Sequence, residues 1–270
     1  PYISFPIGDQ RKSGFLYPSI STTDDGGLDI TVPYYWNLAP NYDLTLSPRL
    51  VSGRGPMIEA QTRYLNSWMN TELGFAYMSD DEGGNDSDVD ELIESGETTA
   101  TEARPHRGQS RWIFSLDQEG GDIHGWYSQL DFTRVSDIDY LRDLGAGSLE
   151  LSSDSYLQQS FSTGYQFEHW DISTLIQSQQ VLLADLDAPY RKMPQISADG
   201  LYQVQNWRWQ FDHEYTRFDH RDNTGLNNRQ ILTGQRFTSD YRLRWEHRSA
   251  SGFFAPEVGY NTLHYDLDTE

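Results

Sequence analysis

Apolar and polar residues alternate along most of this chain with a period of two, in blocks of about ten residues. In Leu28-Asp29-Ile30-Thr31-Val32-Pro33-Tyr34-Tyr35-Trp36 the even-numbered positions are apolar, and in Tyr42-Asp43-Leu44-Thr45-Leu46-Ser47-Pro48-Arg49-Leu50 they are so again. The same rhythm runs through Ile58 to Tyr64, Leu73 to Tyr77, Trp112 to Leu116, Trp126 to Phe132, Trp207 to Tyr215 and Phe237 to Trp245. Successive strand residues point to opposite faces of a sheet, so each block predicts a strand with one apolar and one polar face. Helical periodicity is nearly absent. Counting a first strand over 14–23, which Pro18 interrupts, the pattern predicts about thirteen strands. The polar face carries charges of both signs, which the core of a β-sandwich would not accept but a water-filled lumen would. The expected fold is therefore all-β, an antiparallel transmembrane β-barrel present as a fragment.

The connections support this. Short ones fall around Ala39-Pro40-Asn41, Ser67-Trp68, Glu119-Gly120-Gly121, Phe167-Glu168-His169, Gln205-Asn206 and Ser249-Ala250-Ser251. Mostly longer ones lie between them, over roughly 79–109, 136–154, 184–192 and 219–234, although the early links near 24–27 and 52–56 are brief. Outer-membrane barrels have short periplasmic turns and longer extracellular loops, which places the Ala39-Pro40-Asn41 turn on the periplasmic side. No repeat of fixed period and no domain linker is evident. The stretch 79–102 is rich in Asp, Glu, Ser, Thr and Gly and is expected to be a mobile loop.

Composition narrows the function. With 20 basic and 41 acidic residues the net charge is −21, which argues against nucleic acid as a partner, because phosphate binding needs cationic surface. The mean hydropathy of −0.71 is low for a protein with one large core. Yet aromatics reach 14%, with 8 Trp and 17 Tyr, so disorder does not fit either. Tyr34, Trp36, Trp68, Trp112, Trp126, Trp170, Trp207 and Tyr260 lie near strand ends and fit an interfacial aromatic girdle better than a carbohydrate-stacking site. The chain has no cysteine, which removes disulfides and zinc–thiolate sites within it. It reads as a piece of a longer protein.

Candidate chemistry is sparse. Asp86, Asp88, Asp90 and Glu97 fall at calcium-loop spacing, but the Gly needed for the sharp turn is Glu91. A solvated acidic loop is the plainer reading, with weak binding of divalent cations as the alternative. Asp212-His213 would place its two side chains on opposite faces, so it and Asp219-His220 read as wall and loop residues rather than a dyad. No G-x-S-x-G nucleophile motif occurs, and Gly145-Ala146-Gly147 lacks a strand-to-helix context. Neither a catalytic residue nor a cofactor is called for. Pro33 and Pro48 are the sharpest oddity. They sit inside convincing strands on either side of the Pro40 turn, where a missing ladder donor weakens the wall. They mark either a tolerated bulge or a seam built to part.

Two runs carry a family resemblance. They are Ile3-Ser4-Phe5-Pro6-Ile7-Gly8-Asp9-Gln10-Arg11-Lys12-Ser13-Gly14-Phe15-Leu16-Tyr17-Pro18 and Pro33-Tyr34-Tyr35-Trp36-Asn37-Leu38-Ala39-Pro40-Asn41-Tyr42-Asp43-Leu44-Thr45-Leu46-Ser47-Pro48-Arg49. Both resemble the entry to the barrel of the LptD (OstA, Imp) family of LPS-assembly outer-membrane proteins. Arg63-Tyr64-Leu65, Arg111-Trp112 and Asp131-Phe132-Thr133-Arg134-Val135-Ser136-Asp137 are further echoes. Beyond these the likeness lies mainly in pattern.

The resemblance implies a roughly 26-stranded barrel, of which this is the first half. Residues 1–13 would be the end of a periplasmic jelly-roll or linker, and 14–270 the partial barrel with its acidic loop at about 79–109. It further implies insertion of lipopolysaccharide into the outer leaflet of a Gram-negative cell, through a polar lumen and a lateral gate loosened by Pro33 and Pro48. Asp29, Asp43, Arg49, Glu59, Arg63 and Glu72 would line the glycan route. The lipoprotein LptE, the periplasmic LptA and outer-membrane lipid would be its partners. A general porin or nutrient channel, an outer-membrane barrel hydrolase and a soluble carbohydrate-binding sandwich are the rival readings.

Overall fold

A computed structural model describes residues 11–22, 27–147, 155–222, 224–225 and 230–268. The run Ile3 to Gln10 that carries part of the resemblance, and with it most of the expected jelly-roll end, lies outside the described residues. The strands are β1 (Gly14–Phe15), β2 (Ser19–Thr22), β3 (Leu28–Thr31), β4 (Tyr34–Ala39), β5 (Tyr42–Val51), β6 (Gly55–Leu65), β7 (Met69–Met78), β8 (Arg111–Ile123), β9 (Trp126–Val135), β10 (Tyr156–Gln166), β11 (Trp170–Val181), β12 (Arg191–Val204), β13 (Trp207–Asp219), β14 (Gly234–Trp245), β15 (His247–Ser249), β16 (Gly252–Phe254) and β17 (Glu257–Leu267). Among the described residues three short helices, α1 (Ser87–Ser95), α2 (Ala100–Ala103) and α3 (Tyr140–Leu144), lie in connections.

The fold is all-β. Fifteen strands pair antiparallel in the order β1-β4-β5-β6-β7-β8-β9-β10-β11-β12-β13-β14-β17, with β3 beside both β5 and β2. Two ribbons are each cut in two, β1 from β2 and β3 from β4, so the path has about the thirteen ribbons that the alternation predicts. Sequential neighbours pairing by hairpins is the order of a transmembrane barrel wall. No helix among the described residues is long and apolar enough to cross a membrane, a statement that does not touch strands.

The described residues fall into two compact units, one of 11–117 with 133–147 and one of 118–132 with 155–268. In the first unit, exposure is inverted relative to a water-soluble sheet. Asp43 and Glu59 are only 3% and 2% exposed, whereas Leu50 and Ile58 are 51% and 39% exposed. Apolar side chains therefore face outward along β5 and β6 while the charged row is covered. The only apolar core of this unit among the described residues sits at the long-loop end of the charged face. There Tyr140 and Leu144 of α3 are buried, as are Val51, Met57, Met78, Ile113 and Val135. In the second unit β10 to β14 and β17 continue the pattern, with Phe161, Ile172, Ile176, Ile196, Trp209 and Phe237 exposed. Gly164 makes room for the Tyr127 ring, whose hydroxyl reaches Asp171 at 2.6 Å; a Cβ there would lie 2.4 Å from that ring.

Two expectations are corrected. The acidic stretch contains two short helices rather than loop alone. Asp86 N-caps α1, Gly96 closes it in the left-handed region, and Thr99 with Glu102 forms a capping box on α2. The turn near Glu119-Gly120-Gly121 lies further on, at His124-Gly125, where both residues have positive φ (56° and 93°) as a two-residue hairpin turn of right-handed twist requires. The glycine pair instead stays inside β8.

Candidate functional site

The broken ribbons lie side by side. Thr31 pairs with Arg49 and Tyr34 with Leu46, so Val32 and Pro33 stand opposite Ser47 and Pro48. On the other side Phe15 pairs with Tyr34 and Ser19 with Thr31, so three residues, 16–18, face two. That surplus is a bulge, and it contains Pro18. Val32 donates its N–H to the Pro48 carbonyl at 3.0 Å, and Leu16 donates to the Pro33 carbonyl at 2.9 Å. In a regular antiparallel ladder each of these pairs would exchange two bonds. Here the return donor is a proline nitrogen without hydrogen, so each pair is joined once. The result is a crease through three adjacent ribbons.

The six charged residues predicted to line a lumen share one face of the sheet, and most bond one another. Arg49 is held by Asp29 at 2.7 Å and Glu59 at 3.1 Å, and donates to the Leu144 carbonyl at 2.8 Å. Arg63 and Arg11 hold Asp43 at 3.0 and 3.2 Å, and the Tyr35 hydroxyl donates to it at 3.1 Å. Glu72 accepts from Gln61. Leu144 and Gly147 lie against Arg49 and Glu59, so the link between β9 and β10 folds down over this part of the charged face.

A second cluster ties that link to the one between β7 and β8. Buried Arg111 reaches Asp137 at 2.7 Å, Asp81 at 2.8 Å and Asp143 at 2.9 Å. Arg54 adds contacts to Asp81 (3.2 Å) and Asp143 (3.5 Å). His106 lies 2.9 Å from Asp139 and 3.4 Å from Asp137. Burial works against the charge on Asp137, but hydrogen bonds from Arg111 and Ser136 outweigh it and hold the carboxyl below its usual range. Burial pushes the Tyr140 hydroxyl up. Among the described residues, His106, Asp137 and Asp139 are the one group whose ligand atoms converge closely enough for a metal ion. The calcium-spaced carboxylates do not converge. Asp86 accepts from the Asp88 N–H at 2.9 Å, Asp90 pairs with Arg104 at 2.9 Å, and Glu97 follows the helix C-cap.

The Asp–His pairs are separated. Asp212 takes Gln210 and Arg242, while His213 contacts Ser239 and stacks near Trp170. Asp219 pairs with Arg191, and the His220 ring nitrogens contact the Ala188 and Asp222 carbonyls. Trp36, Trp68, Trp126, Trp170 and Trp207 all lie within four residues of a short turn, whereas Trp112 is the second residue of β8, at a long link. The Arg111 cluster escapes a reading of the sequence because its partners lie 26 to 32 residues away. The available signal was four charges, Asp137, Asp139, Arg142 and Asp143, beside two residues that turn out to be buried.

The family model described as LPS transport system D matches residues 109–270. The LPS-assembly protein LptD of Saccharophagus degradans is 51% identical over 272 residues, covering 100% of this chain and 32% of that protein. Those of Alkalilimnicola ehrlichii and Pseudomonas aeruginosa (strain LESB58) are 35% and 32% identical, covering 99% and 100% of this chain and 32% and 29% of theirs. The chain thus spans about a third of the length of the curated relatives it matches. With the family model over its longer part and such identity from end to end, the chain belongs to the LptD family.

Proposed function

We propose that this chain is the first half of a roughly 26-stranded outer-membrane barrel that inserts lipopolysaccharide into the outer leaflet of a Gram-negative cell. The exposure pattern supports a membrane setting, since outward Leu50 and Ile58 suit lipid while buried Asp43 and Glu59 need a polar interior. A soluble sandwich would bury the opposite face. Lipopolysaccharide has acyl chains that need lipid and a charged glycan that needs water, so a polar lumen with a lateral slit lets each part travel in its own medium. Asp29, Asp43, Arg49, Glu59, Arg63 and Glu72 are the lumen-facing charges of this reading. LptA would deliver the substrate and LptE would occupy the barrel. The process is movement; no bond is made or broken.

The observation that carries the reading is the crease. Pro33 and Pro48 remove one bond each from adjacent ribbons at the start of the sheet, where the first strand of a closed barrel would meet the last. In hydrocarbon a missing ladder bond cannot be replaced by water. The test is the double substitution Pro33→Ala, Pro48→Ala in the full-length protein. Each adds one N–H aimed at a carbonyl already in place, about 0.5–1.5 kcal/mol per bond by aqueous measures. The expected result, in cells relying on that copy, is a fall in surface lipopolysaccharide with the barrel still folded. Unchanged surface lipopolysaccharide overturns the gate.

A further inference from the structure

At the short-turn end of the second unit, the Gln205-Asn206 turn and the base of the β15–β16 ribbon border an open polar cavity of about 700 Å³. Strand register sets Arg208 of β13 directly opposite Arg244 of β14. Like charges so placed repel. Glu246 offsets this in part, 3.6 Å from Arg244 and in closer contact with Arg248. Glu257 is the register partner of Arg244 on its other side. Among the described residues Arg208 makes no ion pair within 4 Å, only a longer-range attraction to Glu246, and the buried Arg244 Nε has no hydrogen-bond partner. In a chain of net charge −21, Arg208, Arg244 and Arg248 line one cavity with Glu246 as the single carboxylate among its lining residues.

The surroundings limit what fits. Four residues further along the same face, Asp171, Asp199, Asp212 and Asp240 pair in succession across β11 to β14. Arg242 neutralises only part of that row, at 2.7 Å from Asp240 and 3.6 Å from Asp212. An anion is therefore attracted at the turn and repelled about 13 Å beyond it. Gln205 and Asn206 offer amides for hydroxyl groups. Trp207 at the strand end lines this cavity and also an apolar groove that it shares with Trp209, Phe211 and Leu243 on the opposite, outward face, so the surfaces for a charged polar head and an apolar tail lie on the two faces of the sheet and meet at the turn.

We propose that this cavity docks the phosphorylated sugar headgroup of a glycolipid, with Arg208 and Arg244 closing on one phosphoryl group by their forked donors. Its placement at the periplasmic mouth, and so its order in transport, rests on the export reading; the binding chemistry does not. A phospholipid headgroup or free phosphate offers the same anion, and the test separates them.

The full-length protein in lipid nanodiscs is titrated calorimetrically with an acyl-free glucosamine disaccharide bisphosphate, with the same disaccharide lacking phosphate, with inorganic phosphate and with glycerophosphoglycerol. The bisphosphate should bind about tenfold or more tightly than the other three. Arg208→Gln with Arg244→Gln should abolish that margin. As a check independent of variant folding, the bisphosphate should shield Arg208 of the unmodified protein from phenylglyoxal labelling. Equal affinity for any of the other three probes, an unchanged margin in the double variant, or unshielded Arg208 overturns the docking site. Loss of the site with surface lipopolysaccharide still dependent on the protein would leave export standing. Bisphosphate binding in a protein whose depletion spares surface lipopolysaccharide would support the site and overturn export.

Discussion

Replacing Arg111 with Met should unfasten the two long links from each other. The guanidinium is buried and holds Asp81, Asp137 and Asp143 at 2.7 to 2.9 Å. Met keeps much of the volume but leaves those carboxylates without their main cation. Breaking a buried ion pair by removing one partner costs about 3–5 kcal/mol, because the charge left behind is uncompensated. Arg54 remains 3.2 Å from Asp81 and 3.5 Å from Asp143, so the lower end, about 3 kcal/mol, is expected, or about 100-fold in the ratio of open to closed links. Amide exchange reads this directly. The Gly108 N–H donates to Asp81 at 2.8 Å, the Asp81 N–H to Gln109 at 3.0 Å and the Ser136 N–H to Trp112 at 2.9 Å. In the full-length protein these three amides should exchange about 100-fold faster in the variant, while amides in mid-strand β6 keep their rates. Adding Asp81→Asn, which removes one of the stranded charges, should restore part of the protection. Exchange at the three amides within threefold of the unmodified protein would refute the argument that this arginine fastens the links.

The remaining predictions concern acid, lipid and local helix. Because the folded pKa of Asp137 is lowered, its contribution is fully present above about pH 4, its ordinary range, and disappears as pH falls through the lower folded value. The Asp139 amide, which donates to Asp137 at 3.1 Å, should therefore keep its corrected exchange protection from about pH 7 to 5 and lose it only in stronger acid. Ile58→Arg on the outward face should cost about 2–4 kcal/mol in urea unfolding of the bilayer-embedded protein if Ile58 lies near the bilayer midplane. Gln61→Arg on the charged face should cost much less, and equal costs would contradict the assigned faces. Asp86→Ala removes the α1 cap and should cost about 1 kcal/mol locally, seen as faster exchange at Asp90; millimolar calcium should not restore it.

The strands, their faces and the alternation of short and long links are legible in the sequence because a period of two is imposed by the pleat itself. Even the fate of the two prolines is half-written there. Pro48 stays inside β5 because its ladder direction points toward Val32, leaving pairing with β6 intact. At Val32-Pro33 both neighbours are joined by a single bond, so that ribbon divides into β3 and β4. Sequence pattern alone does not give this, because it depends on which way each proline nitrogen faces. The helices in the acidic stretch had visible caps at Asp86 and Thr99, but a high acidic content outweighed them as a signal. The Arg111 cluster was out of reach for another reason. Its charges come from the start of β8 and from three separate links, and only folding brings them together. The arginines of the second unit show the same limit, since Arg208 and Arg244 meet through register and not through spacing.

A bond that lacks its donor cannot be strengthened by the medium. Ion pairs such as those around Arg111, though too buried for dissolved salt to screen strongly, come apart once acid protonates their carboxylates, and a bare carbonyl facing a proline ring does not respond. The slackness across the first ribbons is thus a constant of the covalent chain, the same in acid or neutral surroundings, while the bracing among the long links is lost in strong acid. An organism could alter it only by exchanging the imino acids themselves.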